Sequence, residues 1–275
     1  MGANLSPSSS RRPSHADGAS ADAPTPVDGP LRAWFDEAIS PRADPSEVAW
    51  YEARLPREAG VLLEPLAGHG RLLMPLLESG FALHGVDRSA ACLARCRERL
   101  DAAGRTAELF RQDVCALNLP FRYAAAFFAA GTFQRLSGRG RALDALLRIR
   151  AHLVEPGLLL LQLFVPDGAL HPPGAAIVEW RMQPLSDGSR IARRSETLID
   201  VAARRSVVRS RFERRRGARV TAREDEVREM TWYTEGEAVE LVADAGYRDI
   251  RCEPLPACPG EDGTPERRFA LLARL

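Results

Sequence analysis

From Gly60 to Leu163, short apolar runs alternate with amphipathic stretches, and no other pattern in the chain is as regular. Val61-Leu62-Leu63 predicts a buried strand, followed by a helix from Gly70 to Glu78 that Gly80 stops. Phe81 to Val86 reads as a second strand ending at Asp87, and Ser89 caps a helix over Ala90 to Ala103. Ala107 to Arg111, Ala124 to Ala130 and Gly157 to Phe164 supply three more strands, with a helix over Arg139 to Leu153 before the last. These strands are apolar throughout instead of alternating, so helices must cover both faces. The pattern predicts an α/β fold with a doubly wound, mostly parallel sheet.

The flanking segments differ in texture. Residues 1–29 are rich in Ser, Pro, Ala and Gly without apolar periodicity, which predicts a disordered tail. Residues 30–58 carry two short amphipathic helices, the first with Trp34, Phe35 and Ile39, the second capped by Ser46 and carrying Val48, Trp50, Tyr51 and Leu55. They form an N-terminal cap on a core spanning 59–170. Within 171–233, four charge-bearing runs (Ile177 to Gln183, Ser189 to Asp200, Ser206 to Glu213, Glu226 to Tyr233) predict antiparallel strands, with Ser186-Asp187-Gly188 as a hairpin turn. Residues 234–275 return to the core: Thr234 caps a helix ended by Gly246, and two last strands follow, Ile250 to Cys252 and Phe269 to Leu272.

Composition narrows the chemistry. The 275-residue chain is 45% hydrophobic, which suits one large globular domain and excludes wholesale disorder. Its 38 basic side chains are all arginine and face 37 acidic ones, so it is not a general nucleic-acid glove. Without lysine there is no Schiff base, P-loop lysine or lysine general base. Abundant Arg and Ala with no Lys point to a GC-rich bacterial genome. The 5 cysteines lack a CxxC pair; Cys92 and Cys96 lie one helical turn apart, but no companion Cys/His pair completes a metal site. No metal is expected, and buried free thiols suit a reducing cytoplasm. The longest apolar run, Gly157 to Val165, is too short to span a bilayer, and the N-terminus lacks a signal core. A cytoplasmic protein without membrane contact is expected.

The most informative segment is Leu63-Glu64-Pro65-Leu66-Ala67-Gly68-His69-Gly70-Arg71, where the first strand turns into the first helix. Gly68 and Gly70 let a ligand approach the backbone, and Asp87 at the end of the next strand suits the ribose hydroxyls of a nucleotide. A dinucleotide site would want a third glycine where Leu73 stands, and would not open on the acidic Glu64. An acid there repels phosphates and suits a cofactor with a cationic amino-acid tail. S-adenosylmethionine, with its ammonium and sulfonium, fits better than NAD.

Residues from about Trp50 to Val165 resemble the class I S-adenosylmethionine-dependent methyltransferase domain in its small-molecule branch. V-L-L-E-P-L-A-G-H-G-R resembles that family's E-x-G-x-G-x-G loop, and H-G-V-D-R-S its ribose-binding strand end. F-R-Q-D-V-C resembles the segment whose Asp binds the adenine amino group, here Asp113. A-A-G-T-F-Q-R-L resembles the fourth-strand segment facing methyl and substrate, L-V-E-P-G-L-L-L-L the turn into strand five, and W-Y-T-E-G-E-A-V-E-L-V-A-D-A-G-Y the last helix. The resemblance implies a class I methyltransferase-like Rossmann fold of seven strands, with the antiparallel insertion as a lid. It implies cofactor contacts from Tyr51, Glu64, Ala67, Gly68, Gly70, Arg71, Asp87, Arg88, Asp113, Val114 and Gly131. It also implies substrate-side candidates Phe133, Gln134 and Arg135.

The implied reaction is methyl transfer to an N or O nucleophile of a small molecule by in-line displacement, needing alignment and water exclusion but no enzyme nucleophile. Leu66 stands where the family places its first loop glycine; a leucine there is expected to keep φ negative, with its side chain turned from the cofactor. Trp50 and Tyr51 read equally as core aromatics or as cofactor cover. His69 reads as a residue turned outward while its backbone binds. The run Arg204, Arg205, Arg209, Arg211, Arg214, Arg215, Arg216 and Arg219 suggests an RNA- or protein-modifying enzyme as the alternative. However, Glu224, Asp225, Glu226 and Glu229 follow on the next strand, and only Phe212 lies within the run to stack a base, which favours cross-strand charge pairing. A non-catalytic binding protein of the same fold is the other alternative. The antiparallel insertion is also a candidate homodimer surface.

Overall fold

A computed structural model describes residues 29–166, 176–259 and 265–275; the tail expected over 1–29 lies outside the described residues up to Gly29. The chain opens with α1 (Pro30–Ile39), whose first turn is completed from far away: Leu31 N–H donates to Glu224 Oε2 at 2.9 Å. Helix α2 (Pro45–Glu52) is capped by Asp44, not by Ser46 as expected, because Pro45 already has first-turn geometry and the Asp44 carboxylate accepts from Ser46 N–H. The core then runs β1 (Leu62–Pro65), α3 (Leu73–Glu78), β2 (Leu83–Asp87), α4 (Ala90–Ala102), β3 (Glu108–Arg111), β4 (Tyr123–Phe128), α5 (Arg139–His152) and β5 (Leu153–Pro166). Ser89 caps α4 as the sequence predicts, accepting from Cys92 N–H at 3.1 Å. Helix α3 starts three residues later than expected because Gly68 and Gly70 hold left-handed turns (φ +58° and +79°).

Four longer strands follow, β6 (Ala176–Pro184), β7 (Arg190–Asp200), β8 (Arg205–Arg216) and β9 (Arg219–Thr231), then α6 (Glu235–Asp244), β10 (Arg248–Pro259) and β11 (Pro265–Arg274). The main sheet has the order β3-β2-β1-β4-β5-β11-β10, with β1 to β5 parallel and β11 antiparallel to β5. It is the seven-stranded, doubly wound sheet the sequence predicts. Strand order reverses between β1 and β4, and at such a switch point the diverging loops leave a crevice at the carboxyl ends. One apolar layer packs Leu63, Phe128, Leu146, Ile149 and Leu241 against α5 and α6; the other packs Tyr51, Leu73, Leu76, Cys96 and Phe127 against α2, α3 and α4.

Strands β6 to β9 form a separate antiparallel sheet in meander order. The Ser186-Asp187-Gly188 hairpin is present, closed by Leu185 N–H to Ser189 O at 2.8 Å. Strand β9 is longer than the sequence pattern suggests, because its first half is polar and takes its structure from pairing with β8. The acid–base pairing expected across these strands is realised at Arg211 and Asp225, which are opposite each other and 2.7 Å apart. Arg223 meets Glu213 at 2.8 Å, and Arg214 and Arg216 both reach Asp187 at the hairpin. Among the described residues no helix is long and apolar enough to cross a membrane.

Helix α1 joins the two sheets. Phe35 is fully buried and packs edge-on against Phe212 of β8, with ring centroids 5.5 Å apart, while Glu37 pairs with Arg95 of α4 at 2.6 Å. Removing that ring empties the small cluster of Leu31, Phe35, Ile191 and Phe212. Phe35→Ala is expected to cost about 3 kcal/mol or more in chemical denaturation, with the loss centred on the contact between α1 and the antiparallel sheet.

Candidate cofactor site

Three acidic residues stand at the carboxyl ends of adjacent strands. Glu64 lies in β1 opposite Gly85, Asp87 ends β2 opposite Arg111, and Asp113 follows β3. Between β1 and α3 the chain passes through Leu66, Ala67, Gly68, His69 and Gly70, held to β2 by Ala67 N–H donating to Val86 O at 3.0 Å. Leu66 corrects the expectation from its side chain: its φ is +57°, in the left-handed region. The backbone path of this turn dictates that conformation whatever residue occupies it. A leucine there carries about 1–2 kcal/mol of strain, and its side chain packs against the α5-side core. Gly70 admits no side chain at all, since a Cβ would stand 2.7 Å from Cys96 Sγ and φ is +79°.

Asp87 ties the loop to its own strand end. One carboxylate oxygen accepts from Gly68 N–H at 2.9 Å and the other from Ser89 N–H at 2.9 Å, which leaves further lone pairs on both. Asp113 caps the short turn Val114–Ala116 by accepting from Cys115 N–H at 3.0 Å, and Arg141 of α5 reaches it at 3.0 Å. Partial burial raises the Asp113 pKa, but the Cys115 amide and Arg141 outweigh it and hold the carboxyl below its usual range. Val114 and Ala67 are buried, and Arg88 is exposed with its carbonyl accepting from Arg111 Nε. Gly131, after β4, has φ +68°, and a Cβ there would come within 2.5 Å of the Phe164 ring.

Behind the loop lies a buried polar cluster. Glu64 is 4% exposed, and its Oε2 has no hydrogen-bond partner. Burial pushes its pKa up to about 8, against the pull of the Arg71 charge. Tyr51 of α2 is fully buried against Phe127, ring centroids 5.3 Å apart, and its hydroxyl also lacks a partner. Burial, then the nearby Glu47 and Glu64 charges, raise the tyrosine pKa well above its ordinary value. Arg71 is gripped by Glu47 through two bonds of 2.6 and 2.7 Å. The cluster therefore keeps an unanswered carboxylate oxygen and an unanswered hydroxyl at the root of the glycine turn. A cationic donor is the group such a cluster accepts.

Residues 63–157 match the sequence profile of a methyltransferase domain family. The match spans the core from β1 to the start of β5. The fold is that of S-adenosylmethionine-dependent methyltransferases. A solved sugar N-methyltransferase, KedS8 from a Streptoalloteichus species, is similar at TM-score 0.67 and 18% identity over 95% of this chain and 99% of its own. An S-adenosylmethionine-dependent methyltransferase from Clostridium acetobutylicum is similar at TM-score 0.62 and 15% identity, covering 88% of this chain and 96% of its own. CalS10, an amino pentose methyltransferase from Micromonospora echinaspora, is similar at TM-score 0.58 and 21% identity, covering 88% and 92%. No curated relative matches the chain by sequence.

Within the glycine turn, His69 points toward the end of α1. Its Nε2 donates to Ser40 O at 3.0 Å, fixing the end of α1, and burial lowers its pKa. Gln134 is not placed to meet a substrate. It is fully buried, and both amide atoms are engaged by the Phe164 backbone at 2.9 Å, so it clamps the end of β5 to the turn after β4. Phe133 is likewise core, packed edge-on to Phe128 at 5.3 Å. Of the three substrate-side candidates, only Arg135 keeps solvent-accessible surface.

The sequence pattern passed over Glu47 and Arg141, which hold Arg71 and Asp113, and Arg32. Arg32 is 9% exposed and paired with Asp36 at 3.1 Å. Burial opposes its charge, but Asp36, Glu226, Cys92 and Asp87 outweigh burial and raise its pKa. The available signal was an arginine inside the apolar stripe of Leu31 and Phe35, with an acid one turn later. Among the described residues no cluster of His, Cys, Asp and Glu could hold a metal.

Glu64 makes stability depend on pH with a definite sign. Its carboxyl takes up a proton in the folded state at pH values where an unfolded glutamate, titrating at 4.5, has lost it. The proton-linked stability is therefore full below the unfolded value and is lost as pH rises through about 8. Glu64→Gln is expected to melt higher than wild type at pH 9 and to lose much of the decline between pH 6 and pH 9. Parallel melting curves for the two proteins across that range would contradict the assignment.

Proposed function

We infer that this chain is an enzyme that transfers a methyl group from S-adenosylmethionine to a nitrogen or oxygen nucleophile of a small hydroxylated acceptor. The observation that carries the reading is the unpartnered Oε2 of buried Glu64, aligned at strand ends with Asp87 and Asp113. The three acids match three features of one ligand: a cationic amino-acid end, a ribose diol and an adenine amino group. When bound, the cofactor supplies a methyl group already activated on a sulfonium.

The chain's task is alignment and exclusion of water. Glu64 and the Tyr51 hydroxyl receive the cationic end, and the Gly68–Gly70 turn presents its backbone beside them. Asp87, steadied by Gly68 and Ser89 amides, keeps lone pairs for the diol. Asp113 and Val114 border the adenine, Ala67 and Arg88 flank the path, and Gly131 lets the chain turn against the Phe164 ring near the reacting end. The cap closes the back of the site through Arg71–Glu47 and His69–Ser40.

Two solved neighbours, KedS8 and CalS10, are named for methylating a sugar nitrogen and an amino pentose, which supports a sugar-like acceptor over a macromolecule. The pairing of Arg211, Arg214, Arg216 and Arg223 with acids further weakens the case for RNA, because charges already neutralised in pairs release few counterions. Leu66 accepts the left-handed turn, so the loop keeps its path, which favours a working site over a spoiled one. The buried free thiols of Cys92 and Cys96 suit a reducing cytoplasm. The exposed Val178 and Trp180 on β6, an edge strand among the described residues, support self-association through the antiparallel sheet.

Calorimetric titration with S-adenosylmethionine tests this reading. Binding at micromolar cofactor is expected. Asp87→Ala should weaken it by about tenfold or more, the order of a charge-assisted hydrogen bond. His69→Ala should leave affinity within about twofold, since its side chain faces the cap. No heat of binding at high micromolar cofactor would sink the reading.

A further inference from the structure

Asp113 shares its carboxylate with a side chain that is only partly used. Arg141, in the first turn of α5, donates from Nη2 to both Asp113 oxygens, at 3.2 Å to Oδ1 and 3.0 Å to Oδ2. Oδ1 also accepts from Cys115 N–H at 3.0 Å, so Oδ2 is the less occupied oxygen. Among the described residues no acceptor meets Arg141 Nε or Nη1. Both side chains are open to a ligand, with 47% of the arginine and 38% of the aspartate exposed.

Fastening α5 to the end of β3 does not require this guanidinium. Cys115 Sγ donates to the Arg141 carbonyl at 3.3 Å, and Asp113 caps the Val114–Ala116 turn through the Cys115 amide. Both bonds are independent of the arginine head group, and an ion pair as exposed as this one contributes little to stability. What the pair does present is an ionised carboxylate with unused guanidinium N–H groups beside it, an acceptor next to donors. The matching edge is that of a 6-aminopurine, whose amino group donates and whose ring nitrogens on either side of it, N1 and N7, accept. A 6-oxopurine would turn an oxygen toward the carboxylate.

We propose that Arg141 reads the cofactor's adenine together with Asp113: the carboxylate takes the amino group, and Arg141 donates to a ring nitrogen beside it. This assignment rests on the methyltransferase reading above and extends it to the base selectivity of the site. A guanidinium N–H makes a charge-assisted bond, stronger than one between neutral groups. The fork of an arginine lets Nη2 stay on Asp113 while a second nitrogen serves the ring, which the point charge of a lysine does not provide. Partial burial works against the charge on Asp113, but the Cys115 amide and Arg141 outweigh it, so the acceptor half of the pair stays ionised.

The test is calorimetric titration of the full chain with S-adenosylhomocysteine and three analogues. The 1-deaza and 7-deaza compounds each replace one ring nitrogen with C–H, and S-inosylhomocysteine carries an oxygen in place of the amino group. Wild type is expected to bind the inosyl compound, and one of the two deaza compounds, about tenfold more weakly than S-adenosylhomocysteine. Arg141→Met should bind S-adenosylhomocysteine about tenfold more weakly, and its penalty for that same deaza compound should shrink to within about twofold. Arg141→Lys, which keeps a positive charge beside Asp113, should lose the deaza penalty as well, and replaces the methionine variant if that one does not fold. A purely fastening arginine would lower all affinities together and leave the deaza penalty as in wild type, which overturns the proposal. So does a wild type that binds both deaza compounds, or the inosyl compound, as tightly as S-adenosylhomocysteine. Failure of wild type to bind S-adenosylhomocysteine overturns the methyltransferase reading itself, a separate and recognisable outcome.

Discussion

A carboxylate buried at a strand end with an oxygen left unpaired is costly, because water has been removed and no protein donor has replaced it. Glu64 is in that position, and much of the surrounding structure follows from it. Its pKa rises toward neutrality, so the empty protein holds a proton there. Arg71, whose charge acts on Glu64, makes its two hydrogen bonds to Glu47 instead. Tyr51 buries a second unanswered polar atom in the same cluster. A protein that only needed a stable core would fill this place with apolar side chains. Retaining an acid, and keeping its natural partner occupied elsewhere, reserves the site for a cation that arrives with a ligand.

The cap and the antiparallel sheet repeat this logic with arginine as the only cation. A guanidinium keeps its charge when buried and binds carboxylates through a planar fork, whereas lysine would shift its pKa or deprotonate in such places. Arg71 fastens α2 to the glycine turn, Arg95 fastens α1 to α4, and Arg32 lies between Asp36, Glu226 and the field of Asp87. The balance of 38 basic against 37 acidic side chains is in large part the balance of such pairs. The antiparallel sheet is a charge-paired layer on its outer side and a polar, partly unanswered one on its inner side. Helix α1 is the element that ties the inner side to α4 of the core.

The strand–helix alternation, the position of the glycine turn and the acids at successive strand ends were all legible in the sequence, because each follows from local pattern. Apolar runs of strand length and caps such as Ser89 and Thr234 act within a few residues. What was not legible depends on contacts made across the fold. Leu66 takes a left-handed φ because the path from β1 to α3 requires it, against the preference of its own side chain. Gln134 sits in a segment that resembles a substrate wall, yet its amide matches the Phe164 backbone 30 residues later. Arg32 reads as an interruption of an apolar stripe until Glu226 and Asp87 arrive from elsewhere. The polarity of the inner sheet face emerges only once register sets Glu226, Ser210 and Ser195 in one row.

The central claim is that Glu64 waits protonated for a cation. The direct measurement is the carbon-13 carboxyl resonance of Glu64, assigned through Glu64→Gln and followed across pH in the free protein and with S-adenosylmethionine. The account predicts a titration near about 8 in the free protein. With the cofactor bound, it predicts an ionised carboxylate through the neutral range, since a neighbouring ammonium favours the charged form. A Glu64 carboxyl that is ionised at pH 6 without the cofactor, or a titration that the cofactor leaves unmoved, would contradict it.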